Sequence, residues 1–175
     1  MDFYARAAAY LDAFQADMKR DFHLIPNAEF GGRRFPLYGI FEFEDNSTLI
    51  LRNGKCVRSY EFCYFDACEQ LDEEALRDYC AVLDHMAAHY VPWRESSHGF
   101  SMLSMVVLTD GAPDRALQKL IRKYKHEEKR RREADGYGWC SARLCIVDMS
   151  AGTCYVNSHG RALANRIRRT TERLR

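Results

Sequence analysis

Apolar positions change their spacing several times along the chain, and each change marks an element. From Phe3 to Phe22 they recur every three or four residues, at Phe3, Ala7, Tyr10, Leu11, Phe14 and Met18, which predicts an alanine-rich helix with one apolar stripe. Pro26 opposes its continuation, and Asn27–Pro36, containing Gly31-Gly32, reads as a loop. The period then drops to two. Leu37–Glu44 alternates Leu37, Phe41 and Phe43 against Tyr38, Ile40, Glu42 and Glu44, Thr48–Arg52 is a short β-rich run, and Cys56–Phe65 alternates again. Asp45-Asn46 and Asn53-Gly54 separate the three, the second being the stronger hairpin signal because both residues accept positive φ. A three-stranded antiparallel meander is predicted.

Leu71–Tyr90 returns to helical spacing, with Leu76, Tyr79, Cys80 and Leu83 on its inner stripe, Asp72 as N-cap and Pro92 beyond its end. Phe100–Leu108 is almost wholly apolar, as in a strand covered on both faces. Asp114 caps a third helix, predicted from Arg115 to about Glu133. Trp139–Asp148 and Thr153–Val156 read as strands and Arg161–Leu174 as a final helix. The order is α-β-β-β-α-β-α-β-β-α. With 175 residues, 47% of them hydrophobic, the chain reads as one α+β or α/β domain (residues 1–175) around a mixed sheet of about six strands.

Composition narrows the classes. The longest apolar run, Met102–Leu108, falls far short of the ~20 residues a spanning helix needs, so no membrane partner is expected. The start of the chain, with Asp2, Asp12 and Asp17, has no signal-peptide h-region. The seven cysteines lack any C-x-x-C spacing and sit mostly among apolar neighbours, which suits reduced core thiols in a cytoplasmic protein.

Charge adds a second pattern. Residues 1–112 hold 10 Lys+Arg against 18 Asp+Glu, a net of −8, and residues 113–175 hold 16 against 7, a net of +9. The positive excess lies mainly in the third and last predicted helices. Residues 125–134 contain one apolar residue, Ala134, and predict a helix end that projects into solvent or binds an acidic partner. The candidate binding set is Arg122, Lys125, Lys129, Arg130, Arg131 and Arg132, joined by Arg161, Arg168 and Arg169 from the last helix, cations able to contact phosphates. Tyr137 and Trp139 stand beside the run, as base-stacking rings or as strand anchors. Nucleic acid is the first candidate partner and an acidic protein the second.

The first six predicted elements, α-β-β-β-α-β, resemble the core order of the PD-(D/E)xK nuclease-like superfamily, in order alone. The resemblance implies a metal held by an acid on the second core strand and a Glu on the third, with a Lys two residues later assisting the attacking water. Under it Glu61 takes the Glu position, Cys63 stands where the Lys belongs, and Thr48–Arg52 supplies no acid. Asp45 precedes that strand in a turn, Glu42, Glu44 and Glu61 can form a hard-cation site if the register brings them together, and the implied enzyme site is degraded.

Other constellations are sparser. His85 and His89 are four apart on one helical face, and His98 follows a turn, which makes the three a candidate metal set without the Glu of H-E-x-x-H enzymes. Cys154 with His159 is a Cys–His pair in sequence only, and Gly31-Gly32-Arg33-Arg34 is neither a P-loop nor a dinucleotide fingerprint, so no cofactor is expected. The sequence reads as a non-enzymatic binding or regulatory module that engages an acidic partner through basic helices. The alternatives are the nuclease-like enzyme and a regulatory module with a small ligand in a sheet pocket.

Overall fold

The computed structural model describes residues 2–45, 56–132 and 136–174. The expected strand Thr48–Arg52 and the Asn53-Gly54 hairpin lie outside the described residues. Helix α1 (Phe3–Met18) starts on Asp2, whose carboxylate accepts the Ala5 N–H at 2.7 Å, and buries Phe3, Ala7, Tyr10, Phe14 and Met18. Where a loop was expected, β1 (His23–Phe30) pairs antiparallel with β2 (Arg33–Asp45). Pro26 is tolerated because β1 is an outer edge, where a missing N–H costs no ladder bond. The hairpin between them turns on Gly31-Gly32, with φ +58° and +78°, the conformation of a two-residue I′ turn.

Strand β3 (Val57–Ala67) pairs antiparallel with β2 directly, so the meander is β1-β2-β3 and not the one expected with Thr48–Arg52 in the middle. Helix α2 (Glu73–His89), capped by Asp72, carries the chain back to β4 (His98–Thr109), parallel to β3. Helix α3 (Arg115–Lys123) is capped by Asp114, as its sequence predicts. Strands β5 (Glu127–Arg132), β6 (Gly136–Asp148) and β7 (Thr153–Val156) follow, then a short 3-10 turn and α4 (Arg161–Arg173). The sheet runs β1-β2-β3-β4-β6-β5, with β7 pairing β6 beyond the end of β5. It is one α+β domain on a mixed sheet, parallel through β3-β4-β6 and antiparallel at both flanks.

The projecting helix end is corrected. Helix α3 stops at Lys123, Tyr124 turns extended (φ −59°, ψ 127°), and residues 127–132 form an edge strand against Gly136–Ser141. A segment without apolar residues has no face to dock as a helix. As an edge strand it satisfies its backbone on β6 and keeps its charges outside, where they also deter pairing with another chain.

Each face of the sheet carries two helices. Leu103, Met105, Val107, Ala142 and Leu144 pack under α2 and α3, while Val106, Leu108, Cys145 and Val147 pack under α1 and α4. Both faces of β4 are covered, which explains its apolar run. The two basic helices α3 and α4 therefore lie on opposite faces and form no joint surface. Among the described residues no helix is long and apolar enough to cross a membrane.

Candidate functional site

Helices α1 and α4 cover only the later halves of β3, β4 and β6. Nearer the strand starts, the same face carries a cross-strand row set by the register: Lys129 opposite Trp139, Trp139 opposite Phe100, Phe100 opposite Ser59, Ser59 opposite Phe43. Four inter-strand steps span about 19 Å. The Phe100 and Trp139 rings stack with centroids 5.2 Å apart and planes 23° apart, and Phe43 is 51% exposed. Lys129 and Arg131, both exposed and on this face by strand alternation, stand at the β5 rim. The row lies in a groove of about 680 Å³, also lined by Asp45, Ser96 and Tyr137.

The groove floor is held rigid from beneath. His98 is 1% exposed, and both its ring nitrogens are engaged: Nδ1 donates to the Tyr137 carbonyl at 2.5 Å, and Nε2 accepts from the Ser101 hydroxyl at 2.9 Å. Burial holds its pKa below the usual imidazole value, against the raising effect of the Tyr137 bond. Trp93 lies edge-on to His98 and donates its indole N–H to the Ala87 carbonyl at 2.9 Å. Gly138 sits at φ +87°, where a side chain would also strike His98. His98 is thus a lock between the starts of β4 and β6. The His85 and His89 rings lie with centroids 4.3 Å apart, and the candidate metal set of His85, His89 and His98 does not assemble among the described residues.

The expected carboxylate set also comes apart. Alternation along β2 and β3 puts Glu61 on the α1/α4 face, opposite Phe41, and Glu42 and Glu44 on the other face, opposite Tyr60 and Arg58. Glu61 is met by two guanidinium groups, Arg143 at 3.3 Å and Arg166 at 3.6 Å, where a nuclease-like site needs a metal. Burial lowers the Arg143 pKa, against the pull of Glu61. Cys63, at the Lys position, is buried with its thiol pushed far up by desolvation. Nearby on the same face the hydroxyls of Ser104 and Ser141 are buried without a hydrogen-bond partner among the described residues.

The candidate cations divide into groups. Arg122 is exposed on α3, Lys125 pairs with Glu127 at 3.2 Å, and Arg130 lies over the Trp93 ring at 4.3 Å while bonding Glu128 at 2.7 Å. The Arg132 backbone closes β5 opposite Gly136. Arg161, Arg168 and Arg169 are exposed along α4. Lys129 and Arg131, with Arg130 beside them, line the groove that holds Phe43, Phe100 and Trp139, and Arg169 lines a second pocket with Phe14 and Phe22. Arg33 of the diglycine segment is held by Asp66 at 2.8 Å, by Asp78 and by the Tyr79 ring at 4.4 Å. His159 stands 4.0 Å from Glu127, and the Cys154 sulfur accepts a hydrogen bond from the Cys145 thiol. Sequence reasoning raised Trp139 as a stacking ring but overlooked Phe43 and Phe100, whose alternation alone does not say which face stays open.

A family model described as Domain of unknown function (DUF8052) matches residues 6–169, and the chain belongs to that family. No curated protein and no solved structure matches.

Proposed function

We propose that this DUF8052 domain binds single-stranded nucleic acid across the open half-face of its sheet. Bases stack on Phe100, Trp139 and Phe43, and phosphates lie against Lys129 and Arg131. The observation that carries this reading is the stacked Phe100–Trp139 pair in a groove whose rim is a basic edge strand. Aromatic rows on a sheet hold two or three unpaired bases, and cations at one side neutralise the backbone. A duplex presents no free base faces to such a row, which favours single strands. The site is therefore the sheet edge and not the basic helices.

The test is titration of the protein with single-stranded and duplex oligonucleotides across a salt series, read by tryptophan fluorescence. Trp139 is the half-buried reporter, since Trp93 is 3% exposed. Tighter binding of single strands is expected, with Lys129→Ala plus Arg131→Ala lowering the log–log salt slope by about 1.4 for two lost phosphate contacts. A flat salt response, or a slope unchanged in the double variant, rejects the proposal. Saturable binding of polyglutamate in preference to the oligonucleotides reassigns the groove to an acidic protein.

A further inference from the structure

On the face of β6 turned away from the groove, a different set of side chains meets. Glu128 lies directly opposite Cys140 in the β5–β6 ladder, so both point toward the α2/α3 side. His126 sits in the connection between α3 and β5, fixed by its carbonyl, which accepts the Ala142 N–H at 3.0 Å. One ligand atom from each of His126, Glu128 and Cys140 lies within 4.8 Å of the others.

The His126 ring is set up from outside. Its Nδ1 is 2.8 Å from Asp84 Oδ1 on α2, which also accepts the Tyr124 hydroxyl at 3.0 Å. An ionised carboxylate only accepts, so Nδ1 donates to Asp84, and in that tautomer of the neutral ring Nε2 is the acceptor. Nε2 is buried and has no hydrogen-bond partner among the described residues. A buried acceptor with nothing to accept is costly, and this ring belongs to the cluster that also holds a thiol and a carboxylate.

We propose that His126 Nε2, Cys140 Sγ and the Glu128 carboxylate bind a divalent transition metal, zinc by their chemistry, with a fourth position open to water. Thiolate, imidazole and carboxylate together suit zinc, and three protein ligands leave one tetrahedral vertex free. Asp84 is the positioning residue, in the carboxylate–histidine–metal arrangement that fixes tautomer and ring direction. Bond lengths of roughly 2.0–2.3 Å require ligand atoms about 3.5 Å apart, so the three side chains close by about 1 Å. Glu128 already takes Arg130 on Oε1, which steadies its carboxylate. A thiol binds the metal as thiolate, so binding releases the Cys140 proton to solvent. The metal then ties the α3–β5 connection and β5 to β6, anchoring an edge strand that has no apolar side chain of its own.

The test is cobalt substitution in the full chain, purified without a polyhistidine tag and stripped with chelator. One equivalent of Co²⁺ is expected to produce thiolate-to-cobalt charge-transfer absorption and tetrahedral d–d bands, both displaced by Zn²⁺. Cys140→Ser removes the charge-transfer band, Asp84→Asn weakens binding about 10–100-fold, and Cys154→Ser leaves the spectrum intact. No cobalt spectrum in the native protein, a band that survives Cys140→Ser, or one lost with Cys154→Ser overturns the site. Far-UV circular dichroism checks the fold of each variant. Glu128→Gln, at a half-buried position, stands in if Cys140→Ser does not fold, and unchanged cobalt affinity there also overturns the site. Oligonucleotide binding is not the readout, so failure here leaves the groove untouched, and the reverse holds.

Discussion

Trp139 and Cys140 are neighbours in β6, yet one faces a groove and the other a sealed core. The same holds for Phe100 and Ser101 in β4. On the α2/α3 side, Trp93, His98 and Arg130 stack into a plug over the strand starts, and the polar atoms of His98 are paired within it. On the α1/α4 side nothing comparable arrives among the described residues, where the helices cross further along the strands. Aromatic residues occur on both faces. What separates them is whether a neighbouring element satisfies and covers them, so the open rings are available to a partner and the covered ones to stability.

The largest expected contrast is in stability. Trp93→Ala removes a buried ring and its hydrogen bond and costs about 3–5 kcal/mol. Trp139→Ala loses chiefly its stacking on Phe100 and costs about 1 kcal/mol. Urea denaturation midpoints decide this, and equal losses would erase the distinction between the faces. Next comes binding, where the order reverses. Trp139→Ala weakens single-strand affinity by about 1–3 kcal/mol, roughly 5–150-fold, in a fluorescence-anisotropy titration with labelled oligonucleotide. Third, the plug is sensitive to pH. His98 is held below its ordinary value of 6.5, so the unfolded chain binds the proton more readily than the folded one. Its contribution is fully present above pH 6.5 and is lost as pH falls toward the depressed folded value, at no more than about 1.4 kcal/mol per pH unit. In urea melts from pH 7.5 to 5, His98→Gln is expected to lose that slope while binding-groove variants keep it. The smallest effect is reserved for α4. Arg168→Ala with Arg169→Ala is expected to change oligonucleotide affinity less than about twofold, and a loss matching that of Lys129→Ala with Arg131→Ala would move the interface to that helix.

Much of this was legible along the chain. The caps Asp72 and Asp114, the apolar stripe of α1 and the twice-covered β4 all follow from short-range rules that tertiary contacts left unchanged. Two edge strands were not. His23–Phe30 contains a proline, and Glu127–Arg132 contains only charge, so neither shows the alternation that betrays a half-buried strand. Edge strands are held by backbone pairing to a neighbour, a bond that any residue but proline can donate to and that side-chain patterns do not report. For the same reason the basic run was visible and its form was not. Glu61 was legible as a strand carboxylate, but the arginines that meet it come from β6 and α4, far along the chain.

The sequence by itself determined α1, α2, α4 and the start of α3, the central strands, the single mixed-sheet domain and the concentration of positive charge after residue 112. Only the tertiary structure decided which face of each strand is covered. Residues 127, 129 and 131 face one way and 128 and 130 the other, and that alternation acquires meaning only when β5 docks on β6 in one register. A shift of one residue would exchange the faces, sending Lys129 to the core side and Glu128 to the groove. The groove and the His126–Glu128–Cys140 cluster are therefore products of pairing between distant segments, which local composition does not encode.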